Sequence, residues 1–173
     1  MSDKPLHFAT SRLQLRELSG VLSVAESAAL VASVKGMMTP LAVKYLPPYF
    51  HHIHTLAQAE DWLKRMLKES RLCVISDKSQ HVVGFLFLYL ESTDVHIGYV
   101  FGEPHWGKGY ASELIAGLVD AARQRPEWER LVAGVDKSNL ASSRLLTKVG
   151  FVIEPAQCGQ LIRYQLRLTN VPE

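Results

Sequence analysis

The chain has 173 residues and a mass of 19.4 kDa, the size of one domain, and a single unit over 1–173 is the expected organisation. Hydrophobic residues make up 47% and charged residues 21%, ordinary globular usage that fits poorly with a disordered chain, a collagen repeat or a disulfide-stapled miniprotein. Lys and Arg number 19 against 17 Asp and Glu, a net charge of +2 with no concentrated basic patch, so no nucleic-acid partner is expected. Cys73 and Cys158 form neither a disulfide framework nor a CxxC pair, which fits a reducing cytoplasm. The N-terminal text MSDKPLHFATSRLQLREL lacks a signal-peptide core, and the longest apolar stretch, Val82 to Leu90, is far short of the roughly 20 residues of a membrane helix.

In chain order, Leu13, Leu15 and Leu18 are interleaved with Gln14 and Arg16, which predicts a half-buried strand. Ser23 with Glu26 three residues on reads as a capping box for a helix carrying Val24, Ala28, Val31 and Val34, expected to stop near Lys35 at Gly36. A proline-bearing loop follows to His54, and Thr55 with Gln58 opens a second helix to about Glu69, with Ala59, Leu63, Met66 and Leu67 as its stripe. Leu72–Ser76, Val82–Leu90 and Val95–Phe101, separated by polar turns, predict an antiparallel meander. Ala111, Leu114, Ile115, Leu118, Val119 and Ala122 recur at helical spacing and predict a helix from about Gly107 to Gln124. A strand over Leu131–Val135, a helix over Leu140–Val149 with Gly150 as its left-handed cap, and an edge or half-buried strand through Ile162, Tyr164, Leu166 and Leu168 complete the order. The sum is one α+β domain around a mostly antiparallel sheet.

The segment Ile97 to Ala111 runs from a strand through a glycine turn into the amphipathic helix. Unpaired N–H groups at a helix start, the helix dipole and close backbone approach at glycine make such a turn an anion site, and Lys108 adds mobile positive charge. Gly102 to Lys108 matches most of a P-loop, but Gly109 stands where the metal-binding hydroxyl belongs, which argues against ATP or GTP. Gly107 and Gly109 begin a GxGxxG whose third position is Ser112, after strands that read as a meander, which argues against a dinucleotide. A pyrophosphate cradle from Trp106 to Ala111 remains.

These residues resemble the GNAT acyl-CoA N-acyltransferases, in particular the ribosomal-protein N-terminal acetyltransferase branch. The resemblance runs from Thr10–Arg16 through Gly98-Tyr99 and Trp106–Glu113 to Asn139–Arg144, Lys148, Gly150 and Phe151. In the family's Q/R-x-x-G-x-G/A signature Trp106 occupies the first position, a departure, and Gly109 and Ala111 match. The resemblance implies a mixed, mostly antiparallel sheet of about seven strands flanked by about four helices and splayed at the acetyl-CoA site. It implies acetyl-CoA as donor, with pyrophosphate on Trp106, Gly107, Lys108, Gly109, Tyr110 and Ala111. Pantetheine would lie along Tyr99, Val100 and Phe101, facing Asn139 and Ser142, its amides pairing with a strand edge. No metal is expected.

An amine that attacks a thioester must be neutral, although alkylamines are mostly protonated at neutral pH, so a base or water chain is needed, and a hydroxyl can assist the departing thiolate. By resemblance Ser142 fits the hydroxyl. Many relatives carry a glutamate two positions before Gly98, where this chain has His96; imidazole is a competent proton acceptor at physiological pH, and a solvent-facing strand residue is the competing reading. His51, His52 and His54 lack supporting ligands at metal-site spacing. Tyr45, Tyr49 and Phe50 read either as the acceptor wall or as core anchors, Trp62 and Trp128 as packing residues, and Tyr164 as core or acceptor wall. The expected function is acetyl transfer to a primary amine, on a protein N-terminus or a small molecule, by a monomer or homodimer; the alternative is a CoA-binding regulatory module of weak activity.

Overall fold

In a computed structural model, which describes residues 4–157 and 159–168, the alternating leucines near the start form strand β2 (Leu13–Glu17), with Leu13 and Leu15 turned inward. A short strand β1 (His7–Ala9), too brief to carry a pattern, pairs with it. Helix α1 (Val24–Met37) is capped by Ser23, whose side chain accepts from the Glu26 N–H. It runs through Gly36 and does not stop there, because Met37 beyond the expected end is buried. Helix α2 (Leu56–Glu69) opens on the complete Thr55–Gln58 capping box. The meander is β3 (Arg71–Asp77), β4 (Val82–Glu91) and β5 (Asp94–Phe101). Helix α3 (Tyr110–Ala122) starts three residues later than its apolar spacing suggests, because Gly107 and Gly109 have φ of 72° and 78° and form a turn instead. Then come β6 (Arg130–Asp136), α4 (Leu140–Val149) with Gly150 in the left-handed region as expected, β7 (Val152–Ile153) and β8 (Leu161–Arg167).

The strands form one sheet of eight in the order β1-β2-β3-β4-β5-β6-β8-β7. The resemblance implies about seven strands and the apolar pattern marks six; β1 and β7, three and two residues long, bring those six to eight. Of the two readings of the last long strand, edge or half-buried, the second holds, since β8 lies between β6 and β7. All junctions are antiparallel but that of β5 with β6.

Two cores sandwich the sheet. On one face Leu114, Ile115, Leu118 and Val119 of α3 pack over Val95, Ile97, Phe101, Leu131 and Tyr164. On the other, Val34 of α1 and Trp62 and Met66 of α2 pack over Phe85, Phe87 and Val100, with Phe50 fully buried among them. Each such large side chain contributes about 1.5–3 kcal/mol by leaving water. Trp62, Trp128 and Tyr164 are therefore core residues. Tyr49 bonds Tyr89 Oη at 3.1 Å and packs on Phe50, so both Tyr49 and Phe50 anchor the loop between α1 and α2 to the core. Among the described residues no helix is long and apolar enough to cross a membrane, and Cys73 is a buried free thiol whose pKa is pushed up by burial. Cys158 lies outside the described residues.

Candidate active site

The parallel ladder of β5 and β6 is short: Asp94, Val95 and His96 pair with Arg130, Leu131 and Val132, and pairing stops there. Beyond that rung the two strands diverge, which leaves the β6-facing edge of Ile97 to Phe101 without a strand partner. A strand edge with unpaired N–H and C=O groups is suited to an extended amide chain. A cavity of about 670 Å³ occupies this fork. Tyr99, Val100 and Phe101 form one wall, Trp106, Gly107, Gly109, Tyr110 and Ala111 close the end at the start of α3, and Asn139 and Ser142 face them from α4.

The glycine turn is held by contacts distant in sequence. Trp106 Nε1 donates to the Phe101 carbonyl at 2.8 Å, which ties the signature's departing residue to the end of β5. Arg12 Nη1 donates to the Lys108 carbonyl at 2.8 Å, and its Nε to Glu113 Oε2 at 2.7 Å. Glu113 Oε1 also accepts from Thr10 Oγ1 at 2.6 Å and from the Arg12 N–H at 2.7 Å. Burial alone would raise the Glu113 carboxyl, but the bonds from Thr10 and Arg12 outweigh it and hold the group below its ordinary range. Lys108 contributes that carbonyl to the turn, while its ammonium does not line the cavity. The cations that do are Lys44, Arg144 and Lys148.

Asn139 and Ser142 sit together for a local reason. Asn139 is the N-cap of α4, and its side-chain oxygen accepts from the Ser142 N–H at 3.2 Å. Ser142 Oγ lies 3.1 Å from Tyr99 Oη, so the hydroxyls of α4 and β5 meet inside the fork. Burial raises the Tyr99 phenol above its ordinary pKa, against a smaller lowering effect of Ser142.

His96 stands at the last paired rung, opposite Tyr89 of β4, and is not among the cavity-lining residues. Strand alternation puts it on the sheet face of Val100, away from that of Tyr99. Its Nε2 lies 2.9 Å from Glu91 Oε2, so the structure gives it a carboxylate partner that sequence reading missed.

The segment after α1 forms the remaining wall. Leu41, Lys44, Tyr45 and Leu46 line the cavity, Tyr45 Oη donates to the Ser138 carbonyl at 3.4 Å, and Thr39 bonds Glu103. Tyr45 thus lines the cavity whereas Tyr49 and Phe50 do not. His105 also lines it, with a pKa lowered by burial and by nearby Lys108. The three histidines at 51, 52 and 54 are not a metal cluster; His51 Nε2 bonds the Leu46 carbonyl at 2.9 Å, and among the described residues no group of three His, Cys, Asp or Glu could hold a metal ion.

Residues 12–152, which span the fork and the glycine turn, match the acetyltransferase (GNAT) domain family. The chain belongs to the GNAT family. The uncharacterized N-acetyltransferase p20 of Bacillus licheniformis is 33% identical over 85 residues, covering 47% of this chain and 48% of p20, so the match spans about half the length of that relative. Among solved structures, the ribosomal L7/L12 alpha-N-protein acetyltransferase RimL in complex with coenzyme A superposes with a TM-score of 0.73 at 15% identity, covering 91% of this chain and 95% of RimL. A variant of the spermidine N-acetyltransferase SpeG from Vibrio cholerae has a TM-score of 0.69 at 16% identity, covering 91% and 95%. At these identities the structural likeness speaks for the fold.

Proposed function

We propose that residues 1–173 form one N-acyltransferase unit that moves the acetyl group of acetyl-CoA to a primary amine, on a protein N-terminus or a small molecule, by direct attack. The observation that carries this reading is the fork: an unpaired β5 edge from Ile97 to Phe101 leading from the His96 rung to a glycine turn at a helix N-terminus. That layout suits the donor's two halves, amides on the edge and pyrophosphate on the turn. Membership of the family supports acetyl-CoA as donor. The acceptor class follows the range of similar folds, one a protein α-N-acetyltransferase and one a spermidine N-acetyltransferase.

In this reading His96 takes the proton of the attacking amine, directly or through water, with Glu91 on Nε2 so that Nδ1 carries the accepting lone pair. The new C–N bond forms at the thioester carbon and the C–S bond breaks. Backbone N–H groups of the β5 edge receive the carbonyl oxygen's developing charge, and the Ser142 hydroxyl donates a hydrogen bond to the departing sulfur. His96 releases the proton taken from nitrogen to solvent and the departing thiolate takes one up from solvent, so the transfer is proton-neutral. A reducing compartment, the cytoplasm, suits the free thiol of Cys73.

The test is calorimetric titration with acetyl-CoA, ATP and NAD, followed by an amine panel with thiol release as readout. Selective acetyl-CoA binding with amine-dependent thiol release is expected. Binding without turnover on any amine would make the chain a CoA-binding module, and no acetyl-CoA binding would remove the reading at its centre.

A further inference from the structure

Among the described residues Tyr99 Oη has one hydrogen-bond partner, Ser142 Oγ at 3.1 Å. Both residues line the fork. A phenol carries a single hydrogen, and a serine hydroxyl carries one hydrogen and two acceptor lone pairs. When a ligand fills the cavity and water leaves it, a phenol hydrogen without an acceptor would carry the cost of an unmade hydrogen bond. The low-cost arrangement has Tyr99 donate to Ser142. The serine's own hydrogen is then turned away from Tyr99 and out into the fork.

From this geometry we infer that Tyr99 is a positioning residue, which fixes the direction of the Ser142 hydroxyl so that its hydrogen is offered to the sulfur of the departing coenzyme A. The inference rests on the reading of the fork as an acetyl-CoA site and extends it. Each group has a rigid base. Tyr99 is on a strand, with its ring 6.3 Å from that of Phe101 in edge contact, and Ser142 is in the first turn of a helix capped by Asn139. The phenol keeps its proton, because burial raises its pKa. No covalent step passes through Tyr99: it holds one hydrogen bond while Ser142 holds the next, to sulfur.

The experiment compares Tyr99→Phe, Ser142→Ala and the double variant. Phe retains the ring and its packing, and thermal melting checks that each variant folds. Loss of one hydrogen bond from the transition state is worth about tenfold in rate, so Y99F is expected to lower kcat about tenfold with KM for acetyl-CoA unchanged. In the S142A background, Y99F should have no further effect, since its action passes through Ser142. A second readout needs no turnover: the ultraviolet absorbance of the thiolate of bound coenzyme A, followed as pH rises. A donated hydrogen bond favours the thiolate, so the wild-type protein should ionise the bound thiol at lower pH than either variant does. Turnover and thiol ionisation of Y99F equal to wild type, with S142A impaired, would overturn the role of Tyr99 alone, as would losses that multiply in the double variant. An S142A protein equal to wild type in both readouts would instead remove Ser142 from the reaction, and the inference with it. Failure of all the proteins to bind acetyl-CoA would overturn the underlying reading of the fork.

Discussion

Arg12 and Lys108, 96 residues apart in sequence, are joined by a 2.8 Å hydrogen bond from the Arg12 guanidinium to the Lys108 carbonyl. A residue of the connection between β1 and β2 thereby braces the glycine turn at the start of α3. The bond satisfies that carbonyl and places a cation beside the turn. Arg12→Ala is expected to weaken acetyl-CoA binding roughly tenfold, the value of one hydrogen bond to a charged group, with the Tm lowered only slightly. Isothermal titration measures the first effect and thermal melting the second; an unchanged affinity would disconnect Arg12 from the site.

Glu113 unites Thr10 and Arg12 through three hydrogen bonds at 2.6–2.7 Å. Its removal by Glu113→Ala takes away the acceptor of the Thr10 hydroxyl, the Arg12 N–H and Arg12 Nε, and should cost about 1–3 kcal/mol of unfolding free energy. Because the folded carboxyl lies below its ordinary value of 4.5, its ionic contribution is complete above that value and is lost as pH falls through the lowered one. Urea unfolding of the wild type should therefore show a stability decline below about pH 4.5 that Glu113→Gln makes shallower. Parallel declines would deny the carboxylate this role.

Gly109 has a φ of 78°, and a Cβ there would stand 3.5 Å from Arg12 Nη2. Gly109→Val meets both the left-handed backbone, at about 1–2 kcal/mol, and the guanidinium that braces the turn. Weaker acetyl-CoA binding with a lower Tm is expected, and wild-type affinity would argue against the turn as the pyrophosphate cradle.

Gly98 sets how closely β5 approaches its neighbour: a Cβ at this position would lie 2.0 Å from Phe87 Cε2. Phe87 in turn packs 5.1 Å from Phe50 in the core beneath α1 and α2. Gly98→Ala should destabilise the fold by about 1–3 kcal/mol through overpacking, read as a lower urea midpoint. A neutral change would mean that Phe87 moves aside freely.

His96 and Glu91 provide the test of the acceptor side. His96→Ala is expected to lower kcat by about 10²–10⁴-fold, the range for a general base, with little change in acetyl-CoA affinity. Glu91→Gln keeps an oxygen able to accept from Nε2 and should retain more turnover than Glu91→Ala. A His96→Ala enzyme with full turnover would leave the proton to water alone.

Much of the fold follows from local chemistry written in the chain. The 3.6-residue spacing of Leu114, Leu118 and Ala122, the Thr55 capping box and Gly150 locate α3, α2 and the end of α4, because each is set by contacts within a few residues. The glycine turn and the resemblance carried by Trp106 to Ala111 and Asn139 to Arg144 were legible for the same reason. β1 and β7 are too short for a period to register and exist only because β2 and β8 offer them an edge. The register at which β5 leaves β6, and so the position of the fork, depends on pairing between residues 36 apart. Likewise the choice among Tyr45, Tyr49 and Phe50 was open in sequence, since all three are aromatic residues of one loop; packing against Trp62 and Phe87 buried Phe50 and left Tyr45 on the cavity. Glu91 beside His96, Tyr99 against Ser142 and Arg12 on Lys108 bring together residues from separate elements. Residue types and local periodicity determined which elements form; long-range pairing and burial, whose energies depend on partners far along the chain, decided which side chains share the site.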